Sequence, residues 1–304
     1  MSSNQSTFSI TLTYQARDLP SEVWASFREN PHASNIMFPH AIKAAKLSST
    51  TPPTTGENVW AVLWETRDRR PSLSVTFVLS CTTGPLGPYP VFIYTPLSSV
   101  SLQRVDMHPR LLALARALKA VVPPERVFSV FAVDSVATTF ADTWTAETGI
   151  PLAGHPNYYH ASLMCCDANL LRVRLLAELP EAKIVLRRAI STDVANVSRL
   201  CHAFAAGSVC LLVLTYGRGA DGNIMQEPFV LSNEKAIREA TIMIQNNQLW
   251  VHEVRASGRE AEIASIVATT RTTDTVAAIT KVFTNPKWRS RGCAERLLRH
   301  VCQQ

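Results

Sequence analysis

Several features are scarce or missing in this chain. Charged residues make up 18% of its 304 residues, glycine occurs 11 times, and there is no low-complexity tract. Because hydrophobic residues reach 46%, these shortages exclude a disordered or fibrous protein. The longest apolar run, 209–214, is far shorter than the roughly 20 residues that cross a bilayer. The composition therefore predicts a folded globular protein with no membrane segment.

The chain also lacks paired cysteine motifs and a secretory leader. Its seven cysteines are odd in number, none has a CxxC spacing, and the first residues show no charged and then apolar pattern. We therefore predict reduced thiols in an intracellular, cytoplasmic protein. The spacings of Cys165 and Cys166 from His155 and His160 match no zinc ligand pair. No metal site is predicted.

Runs of lysine or arginine are absent as well. The net charge of +6 and the isoelectric point near 9.0 come from scattered basic residues. Such a balance suits an anionic ligand such as a nucleotide phosphate. The sequence contains no recognisable nucleic-acid module, so no nucleic-acid partner is predicted.

Length predicts two domains, because 304 residues exceed the usual size of one, about 150 residues. The first, 1–170, opens with an alternating strand at 8–14 and continues with helical spacing within 21–47. Later patterns predict strands at 58–65, 72–80, 91–95, 127–133 and 158–165, and helices at 111–122 and 137–147.

The second domain, 180–304, repeats this order of elements as far as its third helix. A strand at 184–188 precedes a helix capped by Thr192 or Asp193, and Ser232 caps a second helix. Further patterns predict a hairpin of 249–255 and 262–270, a strand at 276–284 and a final helix after Pro286. That helix carries one apolar stripe, formed by Ala294, Leu297, Leu298, Val301 and Cys302.

The loop at 285–294 is where the sequence predicts phosphate binding. A strand that leads through a tight loop into a helix start directs unpaired N–H groups and the positive end of the helix dipole at one point. Gly292 allows backbone and ligand to approach closely, and Ala294 keeps the first turn narrow. Arg289 and Arg291 can add charge-assisted hydrogen bonds to phosphate oxygens.

Within this loop, Arg289-Ser290-Arg291-Gly292-Cys293-Ala294 has the pattern Arg-x-x-Gly-x-Ala. In its place after a strand, two helices, a hairpin and a strand, the pattern resembles the acetyl-CoA loop of the GNAT N-acetyltransferases. The runs 266–268, 281–284 and 291–298 are also similar to a group of fungal GNAT-like proteins. The resemblance implies an α/β fold with a mixed sheet flanked by helices, as a degenerate N-terminal unit and an incomplete C-terminal unit.

The resemblance further implies a co-substrate and the residues that hold it. The pantetheine arm of acetyl-CoA would pair with the backbone of Val282, Phe283 and Thr284, and its pyrophosphate would lie on 289–294. The expected reaction transfers an acetyl group to an amine acceptor that the resemblance does not name.

No catalytic residue is assigned from the sequence. Glu253 and Glu262 lie on strands that could border the amine site, but a strand carboxylate is more often solvated. In this family a tyrosine that acts as a general acid often lies on the next helix, which would follow Gln304. We therefore expect the chain as given to have little or no acetyltransferase activity.

A second interpretation is a non-catalytic binding or scaffold protein made of two GNAT-like units. It is favoured by the loop at 96–106, which lacks Arg-x-x-Gly-x-Ala, so 1–170 is expected to bind no CoA. A GxGxxG pattern at 217–222 is not taken as a nicotinamide site, because Pro228 precedes the next helix. By the resemblance, 210–227 is instead an insertion, which we expect to pack poorly.

Overall fold

A computed structural model describes residues 7–47, 58–67, 70–154, 156, 160–172, 179, 182–216, 231–256 and 258–304. It forms two compact units, Met1–Leu163 with Thr272–Val276 and Met164–Arg271 with Ala277–Gln304. Each unit has its own sheet and its own core. The domain bounds 1–170 and 180–304 remain a prediction.

The first unit contains a five-stranded mixed sheet in the order β1-β2-β3-β6-β7. The strands along the chain are β1 (Phe8–Thr13), β2 (Val59–Arg67), β3 (Arg70–Cys81), β4 (Thr83–Gly84), β5 (Gly87–Pro88), β6 (Val91–Tyr94) and β7 (Val130–Phe131). Strands β4 and β5 form a separate two-stranded pair. Neighbours in the larger sheet are antiparallel except β6 and β7, which are parallel.

Helices cover both faces of this sheet because its strands alternate two sets of apolar side chains. They are α1 (Ser21–Glu29), α2 (Met37–Leu47), α3 (Ser99–Arg104), α4 (Met107–Lys119) and α5 (Asp134–Thr148). One core contains α1 and α2 residues around Phe27, and the other contains α4 and α5 residues around Leu114 and Phe140. Helix α5 ends at Gly149, whose positive φ of 76° suits a residue without a Cβ.

Two strands expected in the first domain differ from the structure. The pattern at 127–133 forms only the short strand β7, and Phe128 and Val133 on either side of it are exposed. The expected strand at 158–165 is wrong for residues 160–165, which have no strand structure. Leu163 and Met164 are exposed there, so their apolar character does not reflect burial.

The second unit contains a four-stranded antiparallel sheet in the order β13-β10-β9-β8. Its strands are β8 (Ala182–Arg188), β9 (Leu249–Ala256), β10 (Glu262–Ala268) and β13 (Lys281–Thr284). The short strands β11 (Arg271–Thr272) and β12 (Ala277–Ala278) pair with each other. The helices are α6 (Val194–Tyr216), α7 (Asn233–Gln245) and α8 (Cys293–Cys302).

Alternate residues of this sheet face different helices. Leu249 and Val251 belong to the core that contains α6 and α7 residues, whereas Trp250 and Val267 pack with Leu297 of α8. Helix α8 therefore lies on the opposite face of the sheet from α6 and α7.

The Ser232 cap is confirmed, because its side chain accepts a hydrogen bond from the N–H of Lys235.

Two expectations for the second domain need correction, and a third, the insertion at 210–227, stays a prediction. The strand expected at 276–284 divides into β12 and β13. On α8, Cys302 is exposed and Cys293 is buried, because the buried stripe begins one residue earlier than the pattern indicated. Residues 210–216 of the expected insertion continue helix α6, and 217–227, which include the GxGxxG pattern, lie outside the described residues.

The two sheets repeat one arrangement of strands. In each, an edge strand is followed by two helices and then by three strands that extend the sheet by antiparallel pairing, in the orders β1-β2-β3-β6 and β8-β9-β10-β13. A helix follows the fourth strand in both units. The expected α/β class is confirmed, and the mixed sheet flanked by helices is present in the first unit. That both units are GNAT-like remains a prediction.

Candidate anion-binding site

The candidate site is the connection between β13 and α8, where the sequence predicted phosphate binding. It leaves β13 through Asn285, whose side chain accepts a hydrogen bond from the N–H of Lys287 at 3.2 Å. A single 3-10 turn, Pro286–Trp288, follows. Trp288 is buried with Val254 and Cys293 and donates its indole N–H to Glu262 at 3.2 Å. The turn is therefore anchored to the sheet on one side.

Beyond that anchor the backbone twice adopts the left-handed conformation. Ser290 has φ 59° and Gly292 has φ 71°. Glycine accepts this conformation readily, whereas serine adopts it at a cost of roughly 1 kcal/mol. The loop thus has a fixed, partly strained shape between Arg289, which is extended, and the first turn of α8.

The start of α8 has no side-chain cap among the described residues. Gly292 occupies the cap position, and the first intrahelical bond runs from the N–H of Arg296 to the carbonyl of Gly292 at 3.0 Å. The N–H groups of the preceding turn have no partner within the helix itself. With the positive end of the helix dipole, they form a favourable place for a phosphate group.

Three arginines, Arg289, Arg291 and Arg296, belong to this loop and to the first turn of α8. Arg289 lies over the ring of Phe283 at 5.7 Å, and Arg291 lies over the ring of Trp288 at 5.0 Å. Both of these side chains are exposed. Arg296 donates from Nη1 to the carbonyl of Arg291 at 2.6 Å. Arg296 is outside the apolar stripe that the sequence predicts for this helix, so its contact with the loop was not predicted.

The three strand residues that the resemblance assigned to pantetheine lie on β13, at the edge of the described sheet. Val282 pairs with Val267 and Thr284 pairs with Ser265, so both side chains share the α8 face. Phe283 faces the other side, where its ring is 6.4 Å from that of Phe204. The nine predicted residues thus form two runs, 282–284 and 289–294, at the two ends of the connection from the strand edge to the helix start.

Cys293 lies within the predicted motif but is not suited to nucleophilic chemistry. Its thiol is buried against Val254, Ala264 and Trp288. Burial raises the pKa of this thiol above its ordinary value, although the charges of Arg296 and Arg291 act in the opposite direction. The neutral thiol therefore acts as a small core residue.

The two strand carboxylates near the site are both engaged. Glu253 accepts from Arg187 at 2.6 and 3.1 Å, and Arg187 also donates to Asp193 at 2.6 and 3.0 Å. Glu262 accepts from Lys287 at 2.6 and 2.9 Å, and this bond lowers the pKa of Glu262. A carboxylate held ionised by a basic partner is a weak proton acceptor. Neither residue is placed as a catalytic base.

A buried polar pair lies beneath α8. His252 and Ser265 are directly paired across β9 and β10, and both are 0% exposed. Neither the ring nitrogens of His252 nor the hydroxyl of Ser265 has a hydrogen-bond partner among the described residues. Burial, with a smaller contribution from the charge of Arg296, lowers the pKa of His252 from 6.5 to about 4. The imidazole is therefore neutral near pH 7.

The equivalent connection of the first unit has different chemistry. Helix α3 occupies the loop, and Asp106 caps α4 by accepting from the N–H of His108 at 3.3 Å. Arg110, in the first turn of α4, donates to the carbonyl of Asp106 at 2.6 Å and forms a buried ion pair with Glu65. A carboxylate thus already occupies this helix start, which disfavours a phosphate group there.

Among the described residues there is no cluster of His, Cys, Asp and Glu that could hold a metal ion. Within the same residues, none of the helices combines the length and apolar character required to span a membrane.

No protein-family model matches the chain, and no curated protein matches it either. Among solved structures, it is similar to an aminoglycoside N-acetyltransferase, AAC(6')-Iy, in complex with CoA. The identity is 14%, the match covers 41% of this chain and 70% of that chain, and the TM-score is 0.27. A likeness at this level carries no argument about function. Any proposal about function therefore rests on the residues of the site.

Proposed function

We propose that the second unit is an acetyl-CoA-dependent N-acetyltransferase of the GNAT type. The observation that carries the proposal is the connection between β13 and α8. It combines an uncapped helix start, two left-handed residues and the guanidinium groups of Arg289 and Arg291 in a segment with the pattern Arg-x-x-Gly-x-Ala. This combination suits the pyrophosphate of CoA, which carries two negative charges in a compact group.

The roles of the proposed residues follow from their positions. The backbone of Val282, Phe283 and Thr284 would pair with the amide groups of the pantetheine arm, because β13 is an edge strand. Residues 289–294 would hold the pyrophosphate. The thioester would then lie beside β13, where the acceptor approaches it.

The chemical step is a direct attack by an amine on the thioester. The nitrogen forms a bond to the acetyl carbon, the carbon–sulfur bond breaks, and CoA leaves as a thiol that takes up the proton released by the amine. Holding the two reactants together supplies most of the rate enhancement of such a reaction. The protein's main contribution is therefore the fixed position of acetyl-CoA.

Calorimetric titration of the whole chain with acetyl-CoA and with CoA tests this proposal. We expect binding, and we expect Arg289→Met to weaken it by about 10- to 100-fold, since one charge-assisted hydrogen bond is lost. Arg238→Met, at an exposed position on α7, is the matched control with the same change of charge. Equal affinities for the wild-type chain and Arg289→Met would contradict the proposed site.

A second candidate is a binding or scaffold protein in which the same site holds CoA without catalysis. The ion pairs of Glu253 with Arg187 and of Glu262 with Lys287 favour it, because they engage both strand carboxylates near the site. Incubation with acetyl-CoA and a panel of amines distinguishes the two candidates. Release of CoA thiol that depends on an amine supports the enzyme, and binding without release supports the scaffold.

A further inference from the structure

One side chain connects α8 to the loop from which that helix begins. Arg296 is one helical turn beyond Gly292, and helical side chains lean towards the N-terminus of their helix. Its Nη1 donates to the carbonyl of Arg291 at 2.6 Å. A Cβ atom added at Gly292 would lie 3.2 Å from the same nitrogen. The guanidinium group therefore covers the peptide between Arg291 and Gly292.

This contact determines which way that peptide faces. The carbonyl and the N–H of a trans peptide point in opposite directions. When Arg296 holds the carbonyl of Arg291, the N–H of Gly292 is turned away from Arg296. Ser290 and Gly292, on either side of this contact, are left-handed, and the contact favours that loop conformation.

We propose that Arg296 is a positioning residue that sets the loop between β13 and α8 for a diphosphate ligand, acting through the peptide between Arg291 and Gly292. This inference rests on the proposed function of the same loop. Arg289 and Arg291 are exposed and would contact the ligand. Arg296 instead keeps the backbone donors of the loop in the orientation that the ligand requires.

The buried layer beneath Arg296 offers a second readout of its position. The charge of Arg296 contributes to lowering the pKa of His252, which has no hydrogen-bond partner in the described structure. If the guanidinium group leaves this position, the NMR titration of His252 should move to higher pH. A loss of stability alone, without movement of Arg296, would leave that titration unchanged.

The test uses the full chain with three variants, Arg296→Met, Arg296→Lys and Arg299→Met. Arg299 lies on the same helix, where it bonds Glu295 and the carbonyl of Arg172, so its variant is the matched control. Calorimetry with CoA should show binding at least tenfold weaker for Arg296→Met and within about threefold of wild type for Arg296→Lys and Arg299→Met. Equal CoA affinities for wild type and Arg296→Met would overturn the inference.

A measurement without ligand separates this inference from the proposed function. Gly292→Ala should lower the urea midpoint more in the wild-type background than in Arg296→Met, because the new methyl group meets Nη1 of Arg296 only in the former. If Gly292→Ala lowers the urea midpoint equally in both backgrounds, the contact between residue 292 and Arg296 is disproved. If the wild-type chain binds no CoA, the proposed function and the ligand role of Arg296 both fail, even where the contact is supported. Should Arg296→Met not fold, the NMR titration of His252 in Arg296→Lys decides. An unmoved titration supports the position of the charge above His252, and a titration at higher pH overturns it.

Discussion

Acidification should destabilise the second unit through His252. This side chain lies between the sheet and α8, is 0% exposed, and pairs across the strands with Ser265. Its ring nitrogens have no hydrogen-bond partner in the described part of the chain, and the nearby charge, on Arg296, is positive. Protonation would add a second positive charge to a buried site, and burial outweighs the contact with the residue's own backbone, which favours the charged form. The folded state therefore resists protonation.

The sign and size of the effect follow from the pKa of His252. Burial lowers it from 6.5 to about 4 in the folded state, so between these values the unfolded chain binds a proton that the folded chain does not. The contribution of His252 to the free energy of unfolding is therefore fully present above about pH 6.5 and is lost as the pH decreases to about 4. A tenfold change in proton affinity corresponds to about 1.4 kcal/mol. The whole loss is about 3 kcal/mol, with a slope near one proton.

The assay is urea unfolding between pH 7 and pH 4 of the chain labelled with 5-fluorotryptophan, followed by fluorine NMR. Trp250 and Trp288 report on the second unit. In His252→Leu the pH-dependent loss should shrink by about 3 kcal/mol. His32→Leu, at an exposed position of the first unit, is the control. If His252→Leu and the wild-type chain lose the same free energy of unfolding over this range, the reasoning is refuted.

Three further predictions concern stability. Ser290→Gly should raise the free energy of unfolding by roughly 1 kcal/mol in urea titrations, because it relieves a left-handed residue with φ 59°. Asp193→Asn should lower it by about 2 kcal/mol, since Arg187 loses its ionised partner at 2.6 Å; a shift below a few tenths would contradict this. Arg110→Met should cost about 3 to 5 kcal/mol by leaving the buried carboxylate of Glu65 without its guanidinium, and adding Glu65→Gln should restore part of the loss.

The sequence predicted elements well where periodicity and a cap agreed. Ser232 was expected to cap a helix and does so, and the helix expected at 137–147 is present as α5, Asp134–Thr148. These signals are local, because they depend on a residue and its own turn. Most strands of both sheets were also expected from local signals, because they alternate apolar and polar positions or carry short apolar runs.

The failures occur where an apolar run has no neighbour to pair with. Residues 160–165 contain Leu163 and Met164, which look like strand residues but are exposed and form no strand. The pattern at 127–133 pairs with β6 only through Val130 and Phe131. Strand formation requires a partner at the right register, and composition does not specify that partner.

The loop was found from its sequence, but one of its residues was not. Spacing and order identified 289–294 as a strand-to-helix connection, which the structure contains. Arg296 was assigned to solvent because the periodicity of α8 places it outside the apolar stripe. The signal that could have found it is its position one turn after Gly292, because helical side chains lean back over the preceding turn. The spacing of apolar residues along a helix does not indicate a contact between a charged side chain and the backbone.

The two units show how one arrangement of strands can support opposite chemistry at the same helix start. In the first unit Asp106 caps α4, and Arg110 is used in the core to neutralise Glu65. In the second unit Gly292 takes the cap position, and Arg296 donates to the carbonyl of Arg291, as Arg110 does to that of Asp106. The first arrangement places a carboxylate at the helix start, whereas the second places glycine there and has no side-chain cap among the described residues. We therefore attribute the proposed anion binding to side chains added to a shared framework, and we expect it only at α8 among these two helices.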